Sequence, residues 1–231
     1  MIVSIMQPAY LPWLGYFDRI AQSDVHIVLD DVALERSSKT RFTNRNKVRT
    51  KEGIKWLTVP VKTAGLGQPL ISQIEIDNGQ PWRKKHWQTL LHSYSQAPCF
   101  HEHKTFFENY YAREWPKLGE CLKESTQYLL DVLGINVNLL YSSEMIVEGV
   151  KSELILNLCQ SVGATKYISG PFGRDYLNGN AFESAGIELS FHDYHHPVYK
   201  QYHGGFEPYV SIVDLLFNHG SKSLEILTSY E

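Results

Sequence analysis

The side chains best suited to chemistry in this 231-residue chain fall in short, separate stretches. Asp30 and Asp31 follow the apolar run VHIVL, and a carboxylate at a strand end is placed to take a proton. Asn44-Arg45-Asn46 joins amides that both donate and accept with a planar guanidinium, a set suited to phosphate or polyhydroxyl ligands. The same residues lie in a charged run and fit a solvated loop as well. YISGPFGRDYL, residues 167–177, places Ser169 at the end of an apolar run and follows it with a Gly-Pro-Phe-Gly turn, then Arg174, Asp175 and Tyr176. Such a turn leaves backbone N–H groups open to an anion, although an ordinary glycine turn fits equally. Asp214 and Asn218 stand four apart on one face of a helical segment, where they either meet a ligand or cap nearby backbone.

Imidazoles crowd FHDYHHPVYKQYHGG, with His192, His195, His196 and His203, and FHEH, with His101 and His103. Neither HxxHH nor HxH is a closed zinc set, so no metal is assigned, and no cofactor is identified. Gln201 is a further polar candidate in the first of these stretches. His86, within WRKKHW, is a general-base candidate because an ordinary imidazole titrates near neutrality. The chain has no GxSxG, papain-like cysteine context or HExxH.

The elements that must position these groups alternate. Ile2 to Met6 and Val25 to Leu29 read as strands buried on both faces of a parallel sheet, with Phe17, Ile20 and Ala21 at helical spacing between them. That arrangement puts Gln7 and the paired aspartates on one rim, where open α/β sheets place their ligands. Residues 32–80 read as an insertion. Its basic part carries Arg36, Lys39, Arg41, Arg45, Lys47, Arg49 and Lys51, and WLTVPVK with ISQIEID is expected to form a hairpin around the AGLGQP loop. Residues 82–133 are helical in period, with a break at Pro98, a start near Pro116 and a stop at Gly134. Strands at Val137 to Tyr141, Lys166 to Ser169 and Ile187 to Phe191 then alternate with helices, the last running from Ser211 as N-cap to a stop at Gly220. The expectation is a single domain over residues 1–231. It is an α/β fold with a Rossmann-like parallel sheet flanked by helices, a β-hairpin insertion and a helical segment.

With 22 basic and 25 acidic residues, the net charge of −3 supplies no global field for non-specific nucleic-acid binding. Cys99, Cys121 and Cys159 lack CxxC spacing, which fits reduced thiols. No apolar run reaches the length of a membrane span and the N-terminus is unlike a signal peptide, so the expected location is cytoplasmic.

Taken together, MQPAYLPWLGYFDRI, Asp30-Asp31, Asn44-Arg45-Asn46, WLTVPV, WRKKHW, YISGPFGRDYL and SIVDLLFNHG resemble the WbqC-like protein family through nearly the whole chain. The resemblance implies a bacterial protein associated with O-antigen and related surface-polysaccharide biosynthesis. In that setting the expected activity is transfer of an acyl or aminoacyl group to a nucleotide-activated amino sugar. Asp30 or His86 would act as base. Gln7, Tyr16, Asn44, Arg45, Asn46, Ser169, Arg174, Asp175, Tyr176, Gln201, Asp214 and Asn218 would hold substrate. The alternative is a non-catalytic binding partner of a glycan-assembly enzyme. A weaker likeness to nucleotidylyltransferase-like folds places Trp13-Leu14-Gly15-Tyr16 where an HxGH element would stand. Both histidines are absent, so nucleotidyl transfer is not expected.

Overall fold

The structure is a computed structural model that describes residues 1–34, 42–63, 65 and 67–229. The basic residues Arg36, Lys39 and Arg41 lie outside the described residues.

The chain opens with β1 (Ile2–Met6), α1 (Leu14–Ala21) and β2 (Val25–Val28), followed by the hairpin strands β3 (Arg45–Thr50) and β4 (Gly53–Thr58). Three helices come next: α2 (Trp82–Tyr94), α3 (Phe100–Ala112) and α4 (Leu118–Leu133). The remainder is β5 (Asn138–Tyr141), α5 (Ser152–Ser161), β6 (Lys166–Ser169), α6 (Gly179–Ser184), β7 (Glu188–Phe191), α7 (Ile212–His219) and α8 (Ser223–Leu227). Five strands form one parallel sheet in the order β5-β2-β1-β6-β7, and β3-β4 form a separate antiparallel pair. The α/β class read from the sequence is the fold observed.

The register sorts the sheet into two faces. Ser4 lies beside His26 and Ile168, and His26 beside Leu139, so these four share one face. Val3, Ile5, Val25, Ile27 and Tyr167 face the other way, into a core closed by Ile155, Leu158 and Cys159 of α5 and Phe182 of α6. The larger core gathers Leu14, Phe17 and Ile20 of α1 with side chains of α2, α3, α4 and α7. Burial on both faces explains why these strands read as continuous apolar runs. Phe17 and Phe217 are fully buried, and truncating a side chain of that size typically costs about 3–5 kcal/mol.

The strand order fixes where a ligand has room. From β1 the chain steps outward to β2 and β5, then returns to the other side of β1 with β6 and β7. The reversal lies between β1 and β6, at the carboxyl ends Met6 and Ser169, which is the crevice that open α/β sheets use for ligands.

The hairpin expected between WLTVPVK and ISQIEID is present only as a short pairing, and the longer hairpin lies upstream. Trp56, Leu57 and Thr58 do lie in a hairpin strand, but β4 pairs with Arg45–Thr50 across Lys51-Glu52. ISQIEID forms a 3-10 turn at Ile71–Gln73 and then meets WLTVPVK in a short antiparallel pairing, the Val61 to Ile76 bridge with Lys62 N–H donating to the Glu75 carbonyl and Asp77 N–H to the Pro60 carbonyl, while Glu75 also bridges Lys117. In β3 the alternation is real but disguised: Asn46, Val48 and Thr50 face inward, while Arg45, Lys47 and Arg49 make the segment look like a basic loop. The turn closes at Gly53 with φ of 121°, a conformation that side chains beyond hydrogen rarely adopt.

Helix limits follow local chemistry. Gly134 ends α4 in the left-handed region, and the Ser211 hydroxyl accepts from Val213 N–H at the start of α7. Pro116 stands ahead of α4, because its carbonyl accepts from Ile76 N–H and Leu118 N–H reaches Ile74, which holds this stretch extended.

Candidate functional site at the carboxyl rim of the sheet

Gln7 is exposed at the end of β1. Ser169 ends β6 and is buried, and Gly170 leads into a 3-10 turn over Pro171–Asp175. That turn folds tightly because Gly173 has no side chain: a Cβ there would stand 2.0 Å from the Ser169 hydroxyl. The packing leaves Arg174, Asp175 and Tyr176 exposed, with the Arg174 guanidinium 4.2 Å from the Phe191 ring.

One residue beyond β7, His192 N–H donates to the Ser169 carbonyl at 2.8 Å, which ties the two strand ends together. Its ring Nε2 lies 2.6 Å from Oδ2 of Asp18, a fully buried α1 carboxylate that also accepts from Gln22 Nε2 at 2.7 Å. The ring stacks on Tyr194 at 5.8 Å between centroids. A carboxylate bonded to one imidazole nitrogen fixes tautomer and orientation and supports positive charge on the ring, leaving the other nitrogen to exchange a proton. Nδ1 has no hydrogen bond to the described residues.

Tyr16 and Arg19 of α1 lie beneath the same rim. Burial drives the Tyr16 hydroxyl up from its ordinary pKa, and the nearby Tyr141 adds to the rise. The Arg19 guanidinium lies against the backbone of Gly170, where an added Cβ would stand 2.5 Å from Nη1.

The other sequence candidates lie elsewhere, in three arrangements. Asp30 joins the ends of β2 and β5: its carboxylate accepts from Ser143 N–H at 2.9 Å, Ser143 hydroxyl at 2.8 Å and Ser142 hydroxyl at 3.3 Å. A carboxylate so occupied ties strands together, and His86 is not among its contacts. In the hairpin, Asn44 Nδ2 donates to the Val59 carbonyl and Asn46 Nδ2 to the Leu11 carbonyl at 2.7 Å, so both amides serve buried backbone. Leu11 has φ of 43°, and the Asn46 bond helps hold this strained turn. Arg45 stacks over Trp56 at 4.6 Å. His86 lines a groove of about 740 Å³ between β4 and α2, together with Lys55, Trp56 and Lys85. The Tyr10 hydroxyl lies 2.9 Å from its Nδ1, and burial pulls its pKa down to about 4, a weaker base than ordinary imidazole.

Asp214, Gln201 and Asn218 form the third arrangement, a closed polar cluster under α7. Asp214 accepts from Tyr94 and Tyr199 hydroxyls at 2.9 Å each, Asn218 Nδ2 donates to the Asp214 carbonyl, and Gln201 bonds the Glu207 backbone twice. Burial raises the Asp214 carboxyl above its ordinary pKa, and the tyrosine hydroxyls oppose that rise. Among the described residues no group of three or more His, Cys, Asp or Glu side chains is arranged to hold a metal ion.

The structure therefore brings together Gln7, Tyr16, Ser169, Arg174, Asp175 and Tyr176, and adds Asp18, Arg19 and His192. A signal for the added residues was present. Asp18 and Arg19 are adjacent charges inside an otherwise apolar helix, LGYFDRIA, and a charge there needs a partner.

The profile of the WbqC-like protein family matches residues 7–226, which takes in the rim, the hairpin and all the candidate residues. This chain belongs to the WbqC-like protein family. A relative from Mycobacterium tuberculosis, strain ATCC 25618 / H37Rv, described as uncharacterized protein Rv1507c, is 38% identical over 227 residues, covering 97% of this chain and 96% of its own length. No solved structure matches this WbqC-like chain significantly. Among the described residues no helix is long and apolar enough to cross a membrane.

Proposed function

We propose that the carboxyl rim of the sheet is the active site of a transferase that moves an acyl or aminoacyl group from an activated donor to the amine of a nucleotide-activated amino sugar, within surface-polysaccharide biosynthesis. The observation that carries this reading is the Asp18–His192 pair at the reversal of the strand order, with one imidazole nitrogen uncommitted. His192 takes the proton that the sugar nitrogen loses as it forms a bond to the donor carbonyl carbon. The tetrahedral intermediate then collapses, the donor's leaving group departs with the carbonyl electrons restored, and the imidazolium returns its proton to that group. Asp18 is a positioning residue. Gln7, Arg174, Asp175 and Tyr176 contact the substrate at the exposed edge, and Ser169 and Tyr16 shape its floor. Asp30, Asn44 and Asn46 act by holding the strands and the Leu11 turn in place.

The test is incubation of the purified protein with a panel of nucleotide amino sugars and activated acyl donors, read by mass spectrometry. The expected result is one sugar nucleotide that gains an acyl mass; a panel with no gain, and no binding at millimolar concentration, counts against the reading. A second reading, a partner of a glycan-assembly enzyme, draws on the exposed Ile146 and Val150 between β5 and α5. It predicts complex formation without turnover.

A further inference from the structure

Four buried polar atoms without a hydrogen-bond partner among the described residues lie near one another behind the rim: Arg19 Nε, Tyr16 hydroxyl, His26 Nε2 and Tyr141 hydroxyl. The register puts His26 and Tyr141 on the sheet face that α1 covers, and the Tyr16 and His26 rings are 5.9 Å apart. Native interiors leave few such atoms, because each forfeits its bonds to water without replacement. A cluster of them asks for a polar occupant.

Arg19 sets the sign of that occupant. Buried guanidinium groups are ordinarily matched by a carboxylate. Among the described residues Arg19 has no ion pair, since the adjacent Asp18 is turned to His192 and Gln22. Tyr167, Tyr16 and Tyr176 lie within electrostatic reach of the cation. Burial and the Arg19 charge together push His26 down to about 3, so the ring beside it is neutral and the cluster carries one positive charge. The guanidinium lies against Gly170 at the carboxyl end of β6, where the absent Cβ leaves the approach open.

We propose that Arg19, under Gly170 at the reversal of the strand order, is the receptor for a phosphate group of a nucleoside-diphosphate-activated substrate. The guanidinium fork matches two phosphate oxygens, and the Tyr16 and Tyr176 hydroxyls stand beside it as further donors. The inference rests on reading the rim as the ligand site.

The test is calorimetric titration of the full chain with pyrophosphate. Wild type binds, and Arg19→Gln weakens binding by about tenfold or more. Gly170→Ala supplies a second readout. Gly170 has φ of −73° and ψ of 166°, which alanine adopts freely, so the new methyl displaces Nη1 and leaves the backbone intact. It lowers affinity while the thermal midpoint stays near wild type. Arg174→Gln, exposed on the same rim, has the smaller effect. The inference is overturned if wild type fails to bind pyrophosphate at millimolar concentration, if folded Arg19→Gln binds as wild type does, or if the loss follows Arg174 instead. Should Arg19→Gln not fold, unchanged affinity in Gly170→Ala overturns it. No transfer occurs in this assay. Binding that depends on Arg19, without any acylated product, refutes the transferase and leaves the receptor standing; product without such binding does the reverse.

Discussion

Acidification is expected to destabilise this protein progressively from about pH 6.5 downward, because two histidines are built into it in neutral form. His86 titrates at about 4 and His26 at about 3, both lowered chiefly by burial, whereas an unfolded chain takes up these protons near the ordinary value of about 6.5. Between those limits the unfolded state binds more protons than the folded one, so stability is fully present above about pH 6.5 and falls as the pH drops. Each pKa unit is worth about 1.4 kcal/mol, so His86 alone removes roughly 3 kcal/mol by about pH 4, and His26 removes a similar amount over the same range and continues to do so down to about pH 3. While both are titrating only in the unfolded chain, the slope approaches about 2.7 kcal/mol per pH unit. His103 and His196, also lowered mainly by burial, add with the same sign. Asp214 has the opposite sign: its raised carboxyl takes a proton in the fold before the unfolded chain does, which offsets part of the loss at the acid end. The assay is urea unfolding at constant ionic strength at about pH 7.5, 6 and 5, for wild type and His86→Phe. The variant is expected to show a slope shallower by about 1.4 kcal/mol per pH unit below pH 6. Parallel slopes for the two proteins refute the claim that His86 is held neutral.

Asn46→Ala removes the donor to the Leu11 carbonyl in a strained turn, and is expected to cost about 1–3 kcal/mol in urea unfolding, whereas a loss below about 0.5 kcal/mol denies the clamp. Tyr199→Phe deprives the buried Asp214 carboxyl of one of its hydroxyl donors and should cost about 1–3 kcal/mol, read by thermal unfolding; no change means that Asp214 is satisfied without it. Asp30→Asn sets an NH2 group against the Ser142 and Ser143 donors, so the denaturation midpoint should fall by the equivalent of about 1–3 kcal/mol, and an unmoved midpoint contradicts the strand-tying role.

The doubly covered sheet was legible because continuous apolar runs such as IVSIM and VHIV have few other uses. Caps at Ser211 and Gly134 were legible from single residues whose chemistry ends or begins helices. The β3 strand was not, since its outward Arg45, Lys47 and Arg49 outweighed the inward Asn46, Val48 and Thr50 in a reading by composition. The same limit applied to Asn44 and Asn46: an amide that serves a ligand and one that serves buried backbone look alike in sequence, and only the partner carbonyls of Val59 and Leu11 separate them. The rim residues Gln7, Ser169, Arg174 and Tyr176 were found from strand ends. Asp18 and His192 were not joined, because 174 positions separate them and only the fold makes them neighbours.

The most direct test of the central claim compares transfer rates of wild type and His192→Gln on the nucleotide amino sugar that gains an acyl group. Loss of a positioned base predicts a fall of about 10²-fold or more in kcat with the fold intact. Equal rates in the two proteins, or no acylated product from wild type with any donor, would contradict the account.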